Sequence, residues 1–441
     1  MRIISATLLA SLIGASAAPV FAADLAVDMD EVPVVEAVTG PGFDWSGLTI
    51  GAHAGEVFHG LAYYDDFASD PGQDFDWQQR GGTFGVSVGY DTALTSRIIV
   101  GAELRYDYFN TAHAPYSDPV CCELVTVDDA LSLTGRLGYL VTPDTLVYLR
   151  AGIASVGLSV PIGIFEPYPI QTGRATGGLI GIGAETRLSD ALSATVEARY
   201  FEATSTFLTD DEMELYPKFF SVTAGLKYHF GGTGSGAAEE VLEAVNYDFA
   251  GAYFSIAGIG AASGMHRPET TPGAEDGAFW DDALGVGIGL GFDADIGGDW
   301  RLGAELTADY LGLVYVDPDQ NSPDVGADTR FATVEGIVAL TARLGMKLNP
   351  STLLYAKAGV AGLYTTANAN FWAEGGGGEE MLPGYQLGLG IETAIADNVT
   401  LGVEGTYTAA TESLVTDNIQ YDQVALRPEV LAGKVSLKFH F

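Results

Sequence analysis

Cysteine and basic residues are both scarce in this chain. Its cysteines are the adjacent pair Cys121 and Cys122, which excludes a disulfide scaffold. No histidine or cysteine partner lies nearby in the sequence, so we interpret the pair as a loop disulfide or as thiols without a role, rather than as a metal or redox site. Lysine and arginine total 20 against 58 aspartates and glutamates, and the formal net charge is −38. A surface this acidic repels nucleic acid, and we expect no nucleic-acid partner.

Long apolar runs are also missing. After residue 22 no stretch is apolar for long enough to cross a bilayer as a helix, although 47% of the residues are hydrophobic. The 57 glycines are too many for a helix-rich protein. Apolar content without apolar runs is typical of a transmembrane barrel, whose strands alternate apolar and polar side chains.

The first residues, MRIISATLLASLIGASAAPVFA, combine Arg2, an apolar core and small residues before Ala23. This pattern predicts a secretory signal peptide over 1–22, cleaved after Ala22, and therefore an exported mature chain. The following segment, 23–42, is acidic, contains two prolines and shows no alternation. We expect it to be a mobile N-terminal lead.

One long duplication fills most of the chain. The sequence LTGRLGYLVTPDTLVYLRAGIASVGL at 133–158 returns as LTARLGMKLNPSTLLYAKAGVAGLYT at 340–365, an offset of 207 residues. A unit of this length is far longer than a solenoid repeat. The predicted domains are a first barrel at 43–230, a linker at 231–248 and a second barrel at 249–441.

Each half reads as eight strands whose connections alternate in length. Tight turns are predicted near 93–97, 142–144, 189–191, 297–299, 349–351 and 396–398, whereas 58–82, 111–129, 159–174 and 202–218 are long, polar and acidic. This alternation indicates an all-β fold of two tandem eight-stranded antiparallel up-and-down transmembrane β-barrels. The alternative is one sixteen-stranded barrel. The long linker favours the tandem form, and so do inward glycines such as Gly181 and Gly388, which suit a narrow lumen.

Several stretches recur in the same order in both halves. In the first half they are WSGLTIG at 45–51, GAELRYDY at 101–108, TGRLGY at 134–139, GIGAE at 181–185, VEARY at 196–200 and GLKYHF at 225–230; in the second they are GAELTADY at 303–310, TARLGM at 341–346, GLGIE at 388–392, VEGTY at 403–407 and SLKFHF at 436–441. Together they resemble the small eight-stranded outer-membrane barrels of the OmpA-like and opacity-protein type. The resemblance covers each half nearly end to end. It implies that the outer-membrane assembly machinery reads the terminal aromatic residue Phe441 as an assembly signal.

Strand alternation places a set of charged side chains on the inward faces. In the first half these are Glu103, Arg136, Arg150, Glu185, Glu197 and Lys227; in the second they are Glu305, Arg343, Lys357, Glu392, Glu404 and Lys438. Charges inside a narrow barrel persist only when they are paired. We therefore expect a salt-bridge network that fills the lumen, with a selectivity or gating role as the alternative.

Catalytic and metal-binding patterns are weak. The six histidines form no spaced pair suited to a metal, and no GxSxG, HExxH or phosphate loop occurs. The stretch DPDQNSPD spaces Asp317, Asp319, Asn321 and Asp324 like calcium ligands, but it lacks the glycine and terminal glutamate of a helix-loop-helix site. A solvated acidic loop is the alternative interpretation. No cofactor is expected.

These observations favour a non-enzymatic outer-membrane protein with a structural or surface-interaction role. A passive diffusion porin for small solutes is the alternative, and it would require the sixteen-stranded barrel. The expected partners are outer-membrane lipids, surface glycolipid, the assembly machinery, and divalent cations bound weakly by acidic loops. Those loops carry Asp65, Asp66, Asp70, Asp74, Asp76, Asp210, Asp211, Glu212, Glu214, Asp281, Asp282, Glu379 and Glu380.

Overall fold

The computed structural model describes residues 45–64, 75–112, 125–161, 170–208, 214–230, 246–267, 277–316, 330–368, 378–416 and 424–441. The first half contains β1 (Gly47–Tyr64), β2 (Phe75–Ala93), β3 (Ile98–Ala112), β4 (Thr126–Thr142), β5 (Thr145–Pro161), β6 (Ile170–Arg187), β7 (Leu192–Ala203), β8 (Phe207–Leu208) and β9 (Glu214–His229). The second contains β10 (Gly251–Arg267), β11 (Gly277–Gly297), β12 (Trp300–Val316), β13 (Arg330–Asn349), β14 (Thr352–Ala367), β15 (Gly378–Ala396), β16 (Val399–Ala410), β17 (Leu414–Thr416) and β18 (Val424–His440).

Each half closes on itself as an antiparallel ring of eight long strands. In the first, β1 pairs with both β2 and β9, so that Gly51 lies opposite Ser87 on one side and Lys227 on the other. In the second, β10 pairs with both β11 and β18. The short strands β8 and β17 only extend the edges of β9 and β18. The prediction of two tandem eight-stranded barrels is confirmed, and the alternative of one sixteen-stranded barrel is wrong.

The strands follow a two-residue period because neighbouring side chains point to opposite faces of a sheet. Along β4, buried and exposed residues alternate from Ala130 to Leu140. The exposed face carries large apolar side chains, among them Leu131, Leu133, Leu137 and Tyr139. An outward apolar face and a polar interior suit a strand that crosses a bilayer.

Tight turns join the strands at one end of each barrel, where the sequence predicts them. The turn between β11 and β12 uses Gly297 and Gly298, whose φ angles are 110° and 60°. A side chain would be strained in this left-handed region, so glycine is required there. Among the described residues no helix is long and apolar enough to cross a membrane.

The strands extend further at the opposite end than the sequence indicates. The predicted connection 58–82 is shortened, because β1 continues to Tyr64 and β2 begins at Phe75. Acidic residues assigned to loops lie in strands instead: Asp76 in β2, Glu214 in β9, Asp281 and Asp282 in β11, and Glu379 and Glu380 in β15. Polar outward residues at this end, such as Arg174 and Glu379, interrupt the apolar alternation although the strand pairing continues.

Candidate functional site

The interior of the first barrel contains a layer of buried charged side chains. Glu103 accepts hydrogen bonds from Arg150 at 2.7 Å and from Lys227 at 3.0 Å. Arg150 also donates to Glu197 at 3.0 Å. These residues come from four different strands, and the alternation of each strand turns the side chain inward. Their carboxylates are neutralised within hydrogen-bond distance, as burial requires.

A second group of contacts lies nearer the tight turns. Arg136 forms ion pairs with Asp91, at 2.5 Å, and with Glu185. Lys227 also approaches Glu185, at 3.5 Å, and therefore links the two groups. The structure thus brings together the six charged residues that the sequence singles out in the first half.

Four further charges in this layer were missed by the sequence analysis: Asp91, Arg105, Asp107 and Arg199. Asp107 is fully buried and accepts from Arg105 at 3.0 Å, from Arg199 at 2.9 Å and from His53 at 2.8 Å. A signal was available, because Arg105 and Asp107 share the parity of Glu103 in GAELRYDY.

The second barrel repeats the arrangement at equivalent positions. Lys357 lies 2.9 Å from Glu305 and 2.7 Å from Glu404. Arg343 pairs with Asp293 and Glu392. Lys438 contacts Glu392 at 2.9 Å. The residues singled out in the second half therefore also meet in one interior layer.

The two layers differ where Arg105 and Arg199 stand in the first barrel. Their equivalents in the second, Thr307 and Thr406, are uncharged. There Asp309, the equivalent of Asp107, is paired by Lys434 at 2.5 Å. One lysine in the second barrel therefore does what two arginines do in the first, and Asp309, like Asp107, has a cationic partner.

Apolar residues fill each lumen on the loop side of the charged layer. In the first barrel they are Val57, Leu61, Phe109, Val125, Val127, Ala130, Ala154, Val156, Leu158, Val160, Ala175, Leu179, Phe201, Ala203, Leu215 and Phe219. In the second barrel a similar cluster includes Ile259, Leu311, Leu313, Tyr315, Phe331 and Leu363. Eight-stranded barrels are just wide enough for side chains to fill in this way.

Aromatic residues cover the tight-turn end. Trp45 packs with Ile99, Leu140 and Leu146, and its indole donates to the carbonyl oxygen of Pro143 at 3.1 Å. In the second barrel Tyr247 and Phe249 pack with Leu353 and Ala394. Tyr247 precedes β10, and burial, with Glu392 and Asp248 nearby, raises its pKa to about 12.

Ser193, His229 and Glu185 meet at the base of the first lumen but do not form a catalytic triad. Ser193 Oγ is 3.0 Å from His229 Nε2 and 2.6 Å from Glu185 Oε1. The same Nε2 atom lies 2.9 Å from Glu185. A triad needs the acid on Nδ1 and the nucleophile on Nε2. The three side chains are also buried, so the arrangement is structural.

The remaining candidates of the sequence analysis are the acidic stretch DPDQNSPD, the cysteine pair and Phe441. The DPDQNSPD residues Asp317, Asp319, Asn321 and Asp324, and the cysteine pair, lie outside the described residues. Among the residues that are described, no cluster of three or more histidines, cysteines or acids could hold a metal ion. Phe441 is described: its amide donates to the carbonyl oxygen of Ala252 at 3.0 Å, and its side chain is 87% exposed.

Paired strand rings, an apolar outer surface and a filled interior define a membrane β-barrel protein. The family model "Outer membrane protein beta-barrel domain" matches the chain twice, over 7–230 and 236–439. The chain belongs to this outer-membrane β-barrel family and carries the domain as a tandem duplication. Membership implies a location in the outer membrane.

Solved structures of other barrels are also similar. The N-terminal β-barrel domain of Pseudomonas aeruginosa OprF has 16% identity and a TM-score of 0.24, and the match covers 41% of this chain and 97% of that one. Neisserial surface protein A has 15% identity and a TM-score of 0.25, with 42% and 98% covered. A Pseudomonas aeruginosa FadL homologue has 12% identity and a TM-score of 0.28, with 89% and 90% covered. No curated protein matches the chain.

Proposed function

We propose that the protein is a non-enzymatic structural or surface-interaction component of the outer membrane, built from two sealed barrels that do not conduct. The observation that carries the proposal is the charged layer across each lumen. In the first barrel the cavity beside Glu103, Arg150 and Lys227 is about 20 Å³. A space of this size holds about one water molecule, so it offers no path for a hydrated solute.

Three successive layers of side chains in the first lumen support the sealed state. A solute entering from the loop end meets the apolar cluster around Phe109 and Phe219, then the ion pairs, then Trp45 at the other end. Opening the ion pairs would leave buried charges without partners, at a cost of several kcal/mol. The diffusion-porin alternative depended on a sixteen-stranded barrel, and the two separate rings weigh against it.

Planar-bilayer recording of the purified full chain tests the proposal. We expect no stable conductance steps from the wild-type protein. We expect occasional leak currents from Arg136→Ala, because this change removes the guanidinium group that pairs with Asp91 and Glu185. Arg97→Ala is the matched control, because Arg97 lies in an exposed turn and donates to Tyr139 at 3.3 Å. Large, stable steps from the unmutated protein would show a diffusion pore.

Export and assembly form part of the same proposal. Cleavage of 1–22 after Ala22 releases the mature chain, and Phe441 serves as the signal for the assembly machinery. The exposure of Phe441 supports this role, since its ring remains accessible. Deleting Phe441 should lower the amount of folded protein in the outer membrane, whereas Phe441→Tyr should not. The intact mass of the mature chain tests the cleavage site.

Lipids and weakly bound divalent cations are the proposed partners of the surface. The outward apolar side chains suit a lipid environment, and the exposed Glu379 and Glu380 add negative charge beside the acidic loops. Like charges repel unless counterions gather, so calcium would bridge them to anionic glycolipid. Calcium titration should show many weak sites. A single tight site lost in Asp319→Ala would contradict the diffuse binding and favour DPDQNSPD instead.

A further inference from the structure

The outer faces of β7 and β16 lack the lipid-facing pattern seen elsewhere. On β4 every second residue in the middle of the strand is exposed. In contrast, all residues of β7 and β16 are buried or partly buried. Outward side chains of the two strands, Val196 of β7 and Val403 of β16, meet in one cluster. Ala184 of β6 and Ile391 of β15 belong to the same cluster. These faces are therefore covered by the neighbouring barrel rather than by lipid.

Two close approaches between the barrels involve equivalent positions with the roles exchanged. A Cβ added to Gly405 would overlap the side chain of Val222, and one added to Gly433 would overlap that of Ala198. Ala198 lies opposite Val222 on β7 and β9, as Gly405 lies opposite Gly433 on β16 and β18. Equivalent positions thus contact each other reciprocally, which is the property of a twofold interface.

Two further contacts join equivalent residues directly. Thr145 and Thr352, which are 207 residues apart, bring their hydroxyl oxygens to 2.7 Å. The backbones of β2 and β11 pair at Trp77 and Phe279, which occupy the same place in their strands. Contacts of this kind fall on a twofold axis, so the barrels pack as a pseudo-symmetric dimer within one chain.

The loop-end rim of this interface carries charges that break the symmetry. Arg80 of the first barrel forms an ion pair with Glu429 of the second, and Glu429 also accepts from Tyr407 at 2.9 Å. Phe58 on β1 and Ala262 on β10 are equivalent positions in the two barrels. Arg80 lies opposite Phe58, and Asp282 lies opposite Ala262, so Asp282 is the equivalent of Arg80.

The equivalent of Glu429 is found in the same way. Gly60 on β1 and Gly264 on β10 are equivalent positions. Lys218 lies opposite Gly60, and Glu429 lies opposite Gly264, so Lys218 is the equivalent of Glu429. The rim positions of the first barrel are therefore occupied by the bases Arg80 and Lys218. Those of the second barrel are occupied by the acids Asp282 and Glu429.

We propose that this face is a heterotypic dimer interface, in which each barrel fits the other half of the chain and not a second copy of itself. Two first barrels would set Arg80 against Lys218, whereas two second barrels would set Asp282 against Glu429. Like charges placed together exclude wrong partners.

Packing selects the same pairing. At the two approaches made by Ala198 and Val222, the glycines that give room, Gly405 and Gly433, both belong to the second barrel. Two first barrels would press Ala198 against Val222, which leaves no room for the side chains. Two second barrels would place glycine against glycine and leave a gap, which loses dispersion contacts. Each barrel's interface is occupied by the other barrel of the same chain. Neither of these interfaces remains free to bind a second chain, so the chains do not link into arrays.

Cleavage of the full chain at a protease site inserted within 231–245 tests the interface. After cleavage in a mild detergent, we expect the two halves of the wild-type protein to co-elute in size-exclusion chromatography. Gly405→Leu should separate them. Gly178→Leu is the matched control, because Gly178 is exposed on the outer face and a Cβ there would meet nothing within 4 Å. Separation of the wild-type halves without denaturant would overturn the proposal.

Charge exchange tests the heterotypic selection independently. The pair Arg80→Glu with Lys218→Glu should raise the separated fraction about tenfold, since like charges then face each other. Adding Glu429→Arg with Asp282→Lys should restore co-elution. Heat-modifiable migration of each half in gels shows that both barrels remain folded. If the first pair separates the halves no more than Arg97→Glu does, or if the exchange fails to restore co-elution, the charges do not select the partner.

Discussion

Arg136 and Arg150 lie directly opposite each other on β4 and β5, with both guanidinium groups inside the first lumen. Like charges directly opposite on paired strands are destabilising by themselves. The carboxylates resolve the conflict, because Arg136 is held by Asp91 and Glu185, and Arg150 by Glu103 and Glu197. The second barrel repeats the relationship with Arg343 opposite Lys357.

Arg136→Ala should destabilise the first barrel by about 3–5 kcal/mol, because removing one partner of a buried ion pair leaves its carboxylates uncompensated. The second barrel should keep its stability, since the ion pairs inside its lumen are formed by its own residues. Heat-modifiable gel migration of each half, after cleavage at the linker and heating in denaturant to increasing temperatures, measures the stability of each barrel. Arg343→Ala should give the reverse result, and the exposed Arg97→Ala should affect neither half. Equal loss in both halves would contradict independent networks.

The number and type of strands were predictable from sequence because the two-residue period needs no tertiary information. The same period places Glu103, Arg150 and Lys227 on inward faces. In contrast, Val196, Val403 and Leu133 all occupy outward positions. The pattern does not show that Val196 and Val403 face the other barrel whereas Leu133 is exposed. Lipid and a neighbouring barrel are both apolar surroundings, so both select apolar side chains. One signal that the sequence does contain is Arg80, a charge at an outward position of β2.

Gly183→Val should destabilise the first barrel by about 1–3 kcal/mol through overpacking. A Cβ at Gly183 would lie 2.5 Å from Tyr148 Oη and 2.9 Å from the carbonyl oxygen of Val196. Tyr148 would be displaced from Glu197, to which it donates at 2.8 Å. Denaturant unfolding in detergent measures the change. Gly178→Val, on the outward face of the same strand, is the control and should leave stability unchanged or slightly raised.

Alkaline pH should release Tyr247 from the base of the second barrel. Its folded pKa, about 12, is above the ordinary value of 10.0, because burial and the carboxylates Glu392 and Asp248 disfavour the anion. A raised pKa gives stability that is complete below pH 10 and is lost as the pH rises through about 12. Stability of the second barrel should therefore fall across this window, and Tyr247→Phe should remove that part of the fall. An unchanged pH profile in Tyr247→Phe would contradict the assignment.

Trp45→Ala should lower the stability of the first barrel by about 3–5 kcal/mol, the usual cost of truncating a buried tryptophan. The ring is 4% exposed and lies edge-on to His229, with 5.9 Å between the ring centroids. Trp45→Phe should recover most of the loss, because it keeps an aromatic ring at this position although it loses the hydrogen bond to Pro143. Neither variant should conduct, since the ion-pair layer and the apolar layer above it are intact. Planar-bilayer recording distinguishes the two effects: steady conductance in Trp45→Ala would mean that the tryptophan alone seals the lumen and that the charged layer is permeable.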